Sequence, residues 1–564
     1  MQDIQRQDAT GNTPDFDCWL DSFFDSYYRH RPVNATFIGI HDHDSRLPDY
    51  SEAGIADNLA DMQSLLRRAK NLAHEPLSPA QRTDKQLCEG FLQIQTWEYE
   101  GNHGARGNPG LYIGEAIFGV LAAFLSDYAP LADRVAVATE RLHAIPALLQ
   151  QGQDNIKAAP TMWLKHAMTE CRGALAFLEN GALLAAQPNV SGAYENGVDK
   201  ATKAFTKFGS FLEQLPETLA TENLACGEEA LSLHLRDAHC LAEDADELVR
   251  YAESQLHSAS EYLDDHCADF DAASRGEVMA ELREIHPACD KYYERYQDIW
   301  NDVRRIAEEE ELVTWPDFPI RYVPQPDWAR AAAQDLYFLF YRSPAAFGRP
   351  PVHDYLVTPI DEDMPGEMQQ HLLQANNDSA IKLNHVVHHG GIGHHIQNWH
   401  AFRSPSRVGQ IAAVDCASRI AMNCGGTMAE GWACYATDLM AEMGALSARE
   451  VYAEQQTRTR MCSRAIVDIR LHQGRFSYEQ AVDFYVQNAE MNEGGATYEA
   501  TRNSMYPGSS VIYLVGCDSI HDLRSKIRSL QGDRFKLRDF HDQFLSYGSI
   551  PVALIAEAML DEAE

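Results

Sequence analysis

The chain has 564 residues, of which 45% are hydrophobic and 23% are charged, a balance typical of folded globular proteins. Its formal net charge of −36 argues against a nucleic-acid partner, because affinity for phosphate comes from clustered Lys and Arg. The longest apolar stretch, residues 117–125, is too short to cross a bilayer and indicates a buried helix instead.

The N-terminus and the cysteines indicate where the protein resides. Residues 1–17 are polar and lack the apolar core of a secretory signal. The twelve cysteines are scattered without a CxxC pair, as is typical of reduced and mostly buried thiols. Cys424 and Cys434 stand out only because they lie near Glu430. The sequence therefore predicts a cytoplasmic protein without a membrane partner, and it leaves the oligomeric state open.

Helical periodicity dominates the first half of the chain. In residues 51–68, for example, four apolar side chains share one helix face: Leu59, Met62, Leu65 and Leu66. Similar spacing recurs in three later stretches, residues 135–149, 201–215 and 242–256. These patterns predict an N-terminal helical region over residues 1–310.

A proline-rich segment interrupts the helical pattern. Eight prolines lie between residues 312 and 359, at positions 316, 319, 324, 326, 344, 350, 351 and 359. Residues 320–323 and 355–357 are rich in β-prone side chains. We therefore predict short strands in a Pro-rich segment over residues 311–360, and a second helical region over residues 361–564. The predicted fold is mainly α, with many helices and a small β-containing segment in one continuous domain.

A histidine tract at residues 388–397 is the most informative part of the second helical region. It contains His388, His389, His394 and His395, with glycines between the two pairs. Imidazole is the commonest protein ligand for zinc, and Glu430 downstream completes a His/His/Glu set of the kind found in catalytic zinc sites. The alternatives are that the histidines line a cleft or cap a helix without binding metal, and that Glu430 forms a buried salt bridge.

The spacing of the tract excludes an unbroken helix around one ion. His388 and His395 are seven residues apart, which puts them about 10.5 Å apart along a helix axis. Both can reach one metal only if the helix breaks, and the glycines at 390, 391 and 393 permit a break. His385 and His389 have i,i+4 spacing and form a competing ligand pair.

Three other residues are candidates for the same chemistry, and two more histidines are not. Arg502 has the planar guanidinium that clamps a substrate carboxylate, although a structural ion pair is an equal alternative. Tyr513 can donate a hydrogen bond to a developing oxyanion, although tyrosines packed at a helix edge are at least as common. Asp468 is a candidate to hold the second nitrogen of a ligand histidine. His472 is expected to have a structural role, as is His541.

Several motifs together resemble a known bacterial family, the domain of unknown function 885. The tract is similar to the family pattern H-E-G-x-P-G-H-H-L-Q, and four later segments resemble its other motifs, at residues 429–436, 464–481, 502–516 and 535–551. The likeness covers nearly the whole chain. It implies a mostly helical, metallopeptidase-like fold with a central cleft. It also implies a metal held by His388, by His394 or His395, and by Glu430.

The chain departs from the family pattern where the chemistry matters most. His389 stands where the family has a Glu, which would be the general base of a zinc peptidase. Ile392 replaces the family's Pro, and Thr437 replaces the second Glu of its E-G-W-A-L-Y-A-E motif. His389 is therefore either the base or an additional ligand.

The functional prediction is a hydrolase of a small amide or peptide-like substrate that depends on a divalent metal, zinc. Metal-bound water would attack a carbonyl, His389 would shuttle the proton, and Arg502 or Tyr513 would steady the substrate or the oxyanion. One alternative is a metal-dependent lyase or redox enzyme on a peptidase-derived scaffold, since an extra histidine favours a redox metal. The other alternative is a non-catalytic member of the family.

Overall fold

The structure is a computed structural model. It describes residues 14–72, 76–101, 103–215, 217–218, 224–333, 335–336, 342–417 and 419–563. The chain is 71% helical with few strands, which confirms the predicted mainly α fold. Within the described residues, no helix combines the length and the apolar composition that a membrane span requires.

Helices fill the chain up to residue 309, as the apolar periodicity predicts. They are α1 Pro14–His30, α2 Pro32–Ile38, α3 Glu52–Asn71, α4 Pro79–Glu100, α5 Pro109–Leu125, α6 Leu131–Asn155, α7 Thr161–Asn180, α8 Ala182–Ala186, α9 Gly192–Gln214, α10 Glu228–Leu233, α11 Ala245–Asp265, α12 Arg275–Arg283 and α13 Tyr292–Glu309. In α3, Met62 and Leu65 are buried while Leu59 and Leu66 are half-buried against the core, so the predicted face is the inner one.

The proline-rich segment contains the predicted small sheet. Strand β3 (Ile320–Pro324) pairs in parallel with β4 (His353–Val357), after a two-residue pair formed by β1 (Ala159–Pro160) and β2 (Glu217–Thr218). The aromatic rings of Tyr322 and Tyr355, which face each other across β3 and β4, lie 5.0 Å apart. This sheet packs beside α13 and the histidine tract.

One short helix lies between β3 and β4, and helices follow β4 to the end of the described chain. They are α14 Asp327–Arg330 (between the strands), α15 Gly366–Ala375, α16 Asp378–Ala380, α17 His394–Ala401, α18 Arg407–Ile411, α19 Gly426–Glu442, α20 Ala448–His472, α21 Tyr478–Asn488, α22 Glu493–Met505, α23 Ile512–Gln531, α24 Leu537–Ser546 and α25 Val552–Ala563. A π-helical segment, Ile381–Gly390, carries the first half of the histidine tract.

Helices α19 and α23 are in backbone contact. A Cβ added at Gly431 would lie 2.5 Å from the backbone carbonyl carbon of Gly516, and one added at Gly516 would lie 2.1 Å from the carbonyl oxygen of Thr427. Only glycine permits this approach, because any side chain would force the helices apart. The contact fixes the position of Glu430, the residue before Gly431.

The buried helix α5 contains a carboxyl group whose titration affects stability. Burial raises the pKa of Glu115 to about 7, against an opposing effect of Arg419, and the Oε2 atom has no hydrogen-bond partner among the described residues. Below pH 4.5, the ordinary Glu pKa, the folded and unfolded chains both bind the proton. Between that value and about pH 7 only the folded chain keeps it, so the free energy of unfolding falls as pH rises.

Replacing Glu115 with Gln is therefore expected to stabilise the protein at alkaline pH. The gain should be about 1–3 kcal/mol at pH 8 and near zero at pH 4.5, because the variant has no proton to lose. Urea denaturation at the two pH values measures it. Glu140→Gln, on the exposed face of α6, is the matched control. An equal effect of Glu115→Gln at both pH values would contradict the argument.

Candidate metal centre

The histidine tract is divided by a sharp backbone change. The π-helical segment ends at Gly390, and α17 begins at His394. Between them Gly391 has φ −111° and ψ −120°, and Gly393 has φ −73° and ψ −123°. These ψ values lie outside both the helical and the extended regions. The helix therefore breaks at the glycines, as the spacing of the histidines predicts.

The glycines are required by close contacts. A Cβ at Gly393 would lie 1.9 Å from the carbonyl oxygen of His388, and a Cβ at Gly390 would lie 2.3 Å from the hydroxyl of Tyr322. Two tryptophans hold the carbonyl groups of the break: Trp300 donates to Gly390 (3.0 Å) and Trp432 donates to Ile392 (2.9 Å). Sequence analysis did not single out these anchors, although Trp432 lies within the E-G-W motif.

The break brings His388 and His394 to the same carboxylate oxygen of Glu430. Their Nε2 atoms lie 3.4 Å and 3.5 Å from Glu430 Oε2. One ligand atom from each of His388, His389 and His394 also lies within 4.8 Å of the others. Tetrahedral zinc with bonds of about 2.0–2.1 Å holds its ligand atoms about 3.3–3.4 Å apart. His388, His394 and Glu430 therefore have the donor types of a zinc site, and their two nitrogen–oxygen distances are close to those between zinc ligands.

His395 does not join this cluster. Its side chain is fully buried, its Nε2 bonds the carbonyl oxygen of Phe318 at 2.7 Å, and its ring stacks on the Phe318 ring at 4.7 Å. His394 and His395 were predicted as alternative ligands. In the structure His394 lies beside Glu430, whereas His395 packs in the core. Nδ1 of His385, from the competing His385 and His389 pair, shares a 2.6 Å hydrogen bond with the hydroxyl of Tyr355.

His389 lies at the edge of the cluster, with its ring centroid 5.4 Å from that of His394. Its Nδ1 lies 2.7 Å from the carbonyl oxygen of Asn384, a contact in which only a protonated Nδ1 can donate. The neutral ring therefore has its lone pair on Nε2. This atom is the one that accepts a proton or coordinates a metal.

The electrostatics of the cluster favour metal binding at neutral pH. Burial raises the pKa of Glu430, but hydrogen bonding to His388 and His394 outweighs it and holds this pKa well below the usual range. Burial lowers the pKa of His388, against an opposing effect of Glu430. Burial, together with His388 and His394, lowers the pKa of His389 well below its usual value. A neutral imidazole beside an ionised carboxylate is the state that binds metal.

The cluster opens into a cavity of about 1240 Å³. Arg460, Arg464, Arg502 and Tyr513 line the same cavity. Four carboxyl side chains share the lining with these guanidinium groups: Asp415, Glu430, Glu454 and Glu490. The structure therefore places the predicted Arg502 and Tyr513 in the same cavity as the histidines.

Arg464 and Arg460 were not singled out by sequence analysis. Arg464 forms a bidentate ion pair with Glu499, and its guanidinium carbon lies 4.7 Å from the centroid of the Tyr513 ring. It therefore holds Tyr513 in place. Arg460 lies one helical turn before Arg464, and its Nε has no hydrogen-bond partner among the described residues. The sequence shows only their i,i+4 spacing, which puts both side chains on one face of α20.

The remaining candidates have structural roles. Both carboxylate oxygens of Asp468 accept backbone N–H groups, from Gly508 (3.0 Å) and Ser510 (2.7 Å). The expectation that Asp468 holds a ligand histidine is therefore wrong, because its oxygens shape the turn before α23. His472 bonds the Asn503 carbonyl oxygen at 2.8 Å and His541 bonds that of Leu312 at 2.6 Å. Both histidines link distant segments, as expected.

The comparison with protein families agrees with the sequence motifs. The model of a family described as a bacterial protein of unknown function (DUF885) matches residues 32–559. The chain belongs to the DUF885 family. No curated protein matches the chain.

Two solved structures show the same fold over nearly the full length of this DUF885 chain. One is described as "a putative lipoprotein of unknown function" from Shewanella oneidensis, with 21% identity and a TM-score of 0.72. The other, "the putative lipoprotein" from Colwellia psychrerythraea, has 16% identity and a TM-score of 0.70. Each comparison covers 97% of this chain and 99% of the other. At these identities the likeness shows the fold alone.

Proposed function

We propose that this DUF885 chain is a zinc-dependent hydrolase of small amide or peptide-like substrates that bear a carboxylate. The observation that carries the proposal is the convergence of His388 and His394 on one oxygen of Glu430, at 3.4 Å and 3.5 Å, inside a large cavity. A metallopeptidase-like reaction needs this ligand set and room for a substrate.

The residues around the cluster provide the rest of the chemistry. A zinc ion held by His388, His394 and Glu430 would supply Lewis acidity, which polarises a carbonyl group and acidifies water. His389 accepts a proton at Nε2 and returns it to the leaving nitrogen, and it takes the place of the family's Glu. Its depressed pKa keeps the ring neutral, as a base must be. The Tyr513 hydroxyl donates to the oxyanion.

The proposed substrate carries a carboxylate because the cavity offers cationic groups for it. Arg464 is paired with Glu499, and Arg460 and Arg502 line the same cavity. A guanidinium fork matches a carboxylate through two parallel hydrogen bonds. Such a contact holds one end of the substrate while its amide lies at the metal ligands.

Arg502→Gln is expected to reduce the preference for substrates with a free carboxylate. The ratio of kcat/KM between an N-acyl amino acid and its carboxamide should fall about 10- to 100-fold, because a charge-assisted hydrogen bond contributes about 1.5–3 kcal/mol. Arg460→Gln should act in the same direction. Arg528→Gln, at the C-terminal end of α23, is the matched control. An unchanged ratio in both cavity variants would exclude these arginines from substrate recognition.

Metal analysis of the purified full-length chain tests the proposal itself. We expect about one zinc ion at the His388 cluster, hydrolysis of N-acyl amino acids or dipeptides, loss of activity with a chelator and recovery on adding zinc. Less than about one metal ion per several chains at that cluster would overturn the proposal. Metal without hydrolysis would point to the non-catalytic alternative.

A redox or lyase function is the second candidate, and the position of His389 favours it. A ligand atom of His389 lies within 4.8 Å of those of His388 and His394, so a set of three histidines and one carboxylate is possible. Added imidazole favours iron or copper over zinc. Iron or copper at full occupancy, with colour in the purified protein, would select this function.

A reducing compartment, the cytoplasm, is part of the proposal. All twelve cysteines lie in the described part of the chain, and all are free thiols. The lipoprotein description belongs to the structural relatives. Fractionation of the native host, with detection of the chain in the soluble cytoplasmic fraction or with the envelope, distinguishes the two locations.

A further inference from the structure

A second cluster of metal-ligating side chains lies beyond Glu430 on α19. Asp438 is eight residues after Glu430, about 12 Å further along the helix axis. Its Oδ2 lies 2.9 Å from Nε2 of His521 and 3.3 Å from Sγ of Cys517. The three ligand atoms all lie within 4.8 Å of one another.

The packing of α19 on α23 brings these residues together. Cys517 and His521 have i,i+4 spacing, so both side chains face the same direction from α23. Cys517 follows Gly516 directly, and Gly516 is in backbone contact with α19. The close approach therefore presents Cys517 and His521 to Asp438. A side chain at either glycine would prevent this approach.

The donor types match zinc, and the ligand atoms are close enough together to bind one ion. A thiol, an imidazole and a carboxylate are the three kinds of zinc ligand in proteins, and tetrahedral zinc holds O, N and S ligand atoms about 3.3–3.5 Å apart. Small side-chain rotations convert the observed contacts to these values. Cys517 is buried, while the side chains of Asp438 and His521 are 24% and 27% exposed, which leaves a path for a metal ion and a place for a water ligand.

Further carboxyl groups lie near the three ligand side chains. Glu442 Oε1 lies 4.0 Å from Nδ1 of His521, and the buried Glu454 lies beside Asp438. Arg524 forms an ion pair with Glu442 at 2.7 Å. A divalent cation bound by Asp438 would neutralise the charge of its carboxylate.

We propose that Asp438, Cys517 and His521 form a second zinc site, distinct from the His388 cluster. Its ligands come from two helices, so the bound ion links α19 to α23. Metal binding of this kind contributes directly to folding stability. It would also hold in place the helix that presents Glu430 to the first cluster.

Cobalt(II) spectroscopy distinguishes the two sites, because only the second contains sulfur. Binding of Co²⁺ through a thiolate produces a near-ultraviolet charge-transfer band that His and Glu ligands cannot produce. We expect this band in the wild type and in the double variant His388→Ala/Glu430→Gln, which lacks two ligands of the first cluster. We expect its loss in Cys517→Ser and in His521→Ala. Cys289→Ser, at a half-buried thiol far along the chain, is the matched control and should retain the band.

Zinc stoichiometry and thermal unfolding complete the test. Zinc binding should fall from about two ions per chain in the wild type to about one in His521→Ala. Zinc should raise the unfolding temperature of the double variant His388→Ala/Glu430→Gln, but not that of a triple variant that adds His521→Ala. His521 is partly exposed, so its replacement keeps the test valid if Cys517→Ser fails to fold. Absence of the band in the wild type, or its persistence in His521→Ala, would overturn the second site and leave the proposed hydrolase untouched.

Discussion

Replacing Glu430 with Gln is expected to lower zinc affinity at the His388 cluster by about a hundredfold or more. Glu430 supplies the one oxygen that both histidines approach, and its low pKa keeps the carboxylate ionised at neutral pH. An amide of the same shape has no charge to neutralise the metal. Since loss of an outer partner alone costs about 10- to 100-fold in metal affinity, loss of a direct ligand should cost at least as much.

Competition with a chromophoric zinc chelator measures this affinity, and the adjacent histidines provide a matched pair of controls. His394→Gln should weaken zinc binding as Glu430→Gln does, because its Nε2 faces the carboxylate. His395→Gln should leave zinc affinity within about threefold of the wild type and should instead lower stability, because it removes the bond to Phe318. If His395→Gln weakened zinc binding and His394→Gln did not, the metal ligand would be His395 instead of His394.

The sequence predicted that the tract must break, but it could not choose between His394 and His395. Seven-residue spacing and three glycines are visible in the sequence, and a break follows from helix geometry. Consecutive residues on a helix point about 100° apart, however, so the choice depends on the dihedral angles of Gly391 and Gly393. Those angles are set by contacts with Trp300 and Trp432 from distant segments.

Other parts of the cavity were inaccessible to sequence analysis for a similar reason. Helix periodicity locates the face of α20 that carries Arg460 and Arg464, but not the helix or cavity that this face meets. Cys434 was noted for its proximity to Glu430 in the sequence, whereas the structure places Cys517 against Asp438. The pairing depends on a glycine contact between two helices, and an isolated glycine in a helix gives no indication of its partner.

Gly393→Ala is expected to disrupt the metal centre without altering a single ligand. The added Cβ would lie 1.9 Å from the carbonyl oxygen of His388 and 2.6 Å from that of Val387. Both are backbone atoms, so relief requires a shift of the π-helical segment relative to α17. The same shift breaks the 2.9 Å hydrogen bond from Gly393 N–H to Val387 O and separates His388 from His394.

The expected result is a fall in zinc affinity of about a hundredfold, together with a loss of about 1–3 kcal/mol in the free energy of unfolding. Urea denaturation of the metal-free chain isolates the backbone effect, and chelator competition measures the effect on the site. Gly366→Ala is the matched control, because no atom lies within 4 Å of its added Cβ. If Gly393→Ala bound zinc as tightly as Gly366→Ala, the close approach of His388 to the start of α17 could not be what assembles the ligands. Loss of zinc affinity with all three ligands intact would show that the glycine break, and not the histidine content of the tract, creates the site.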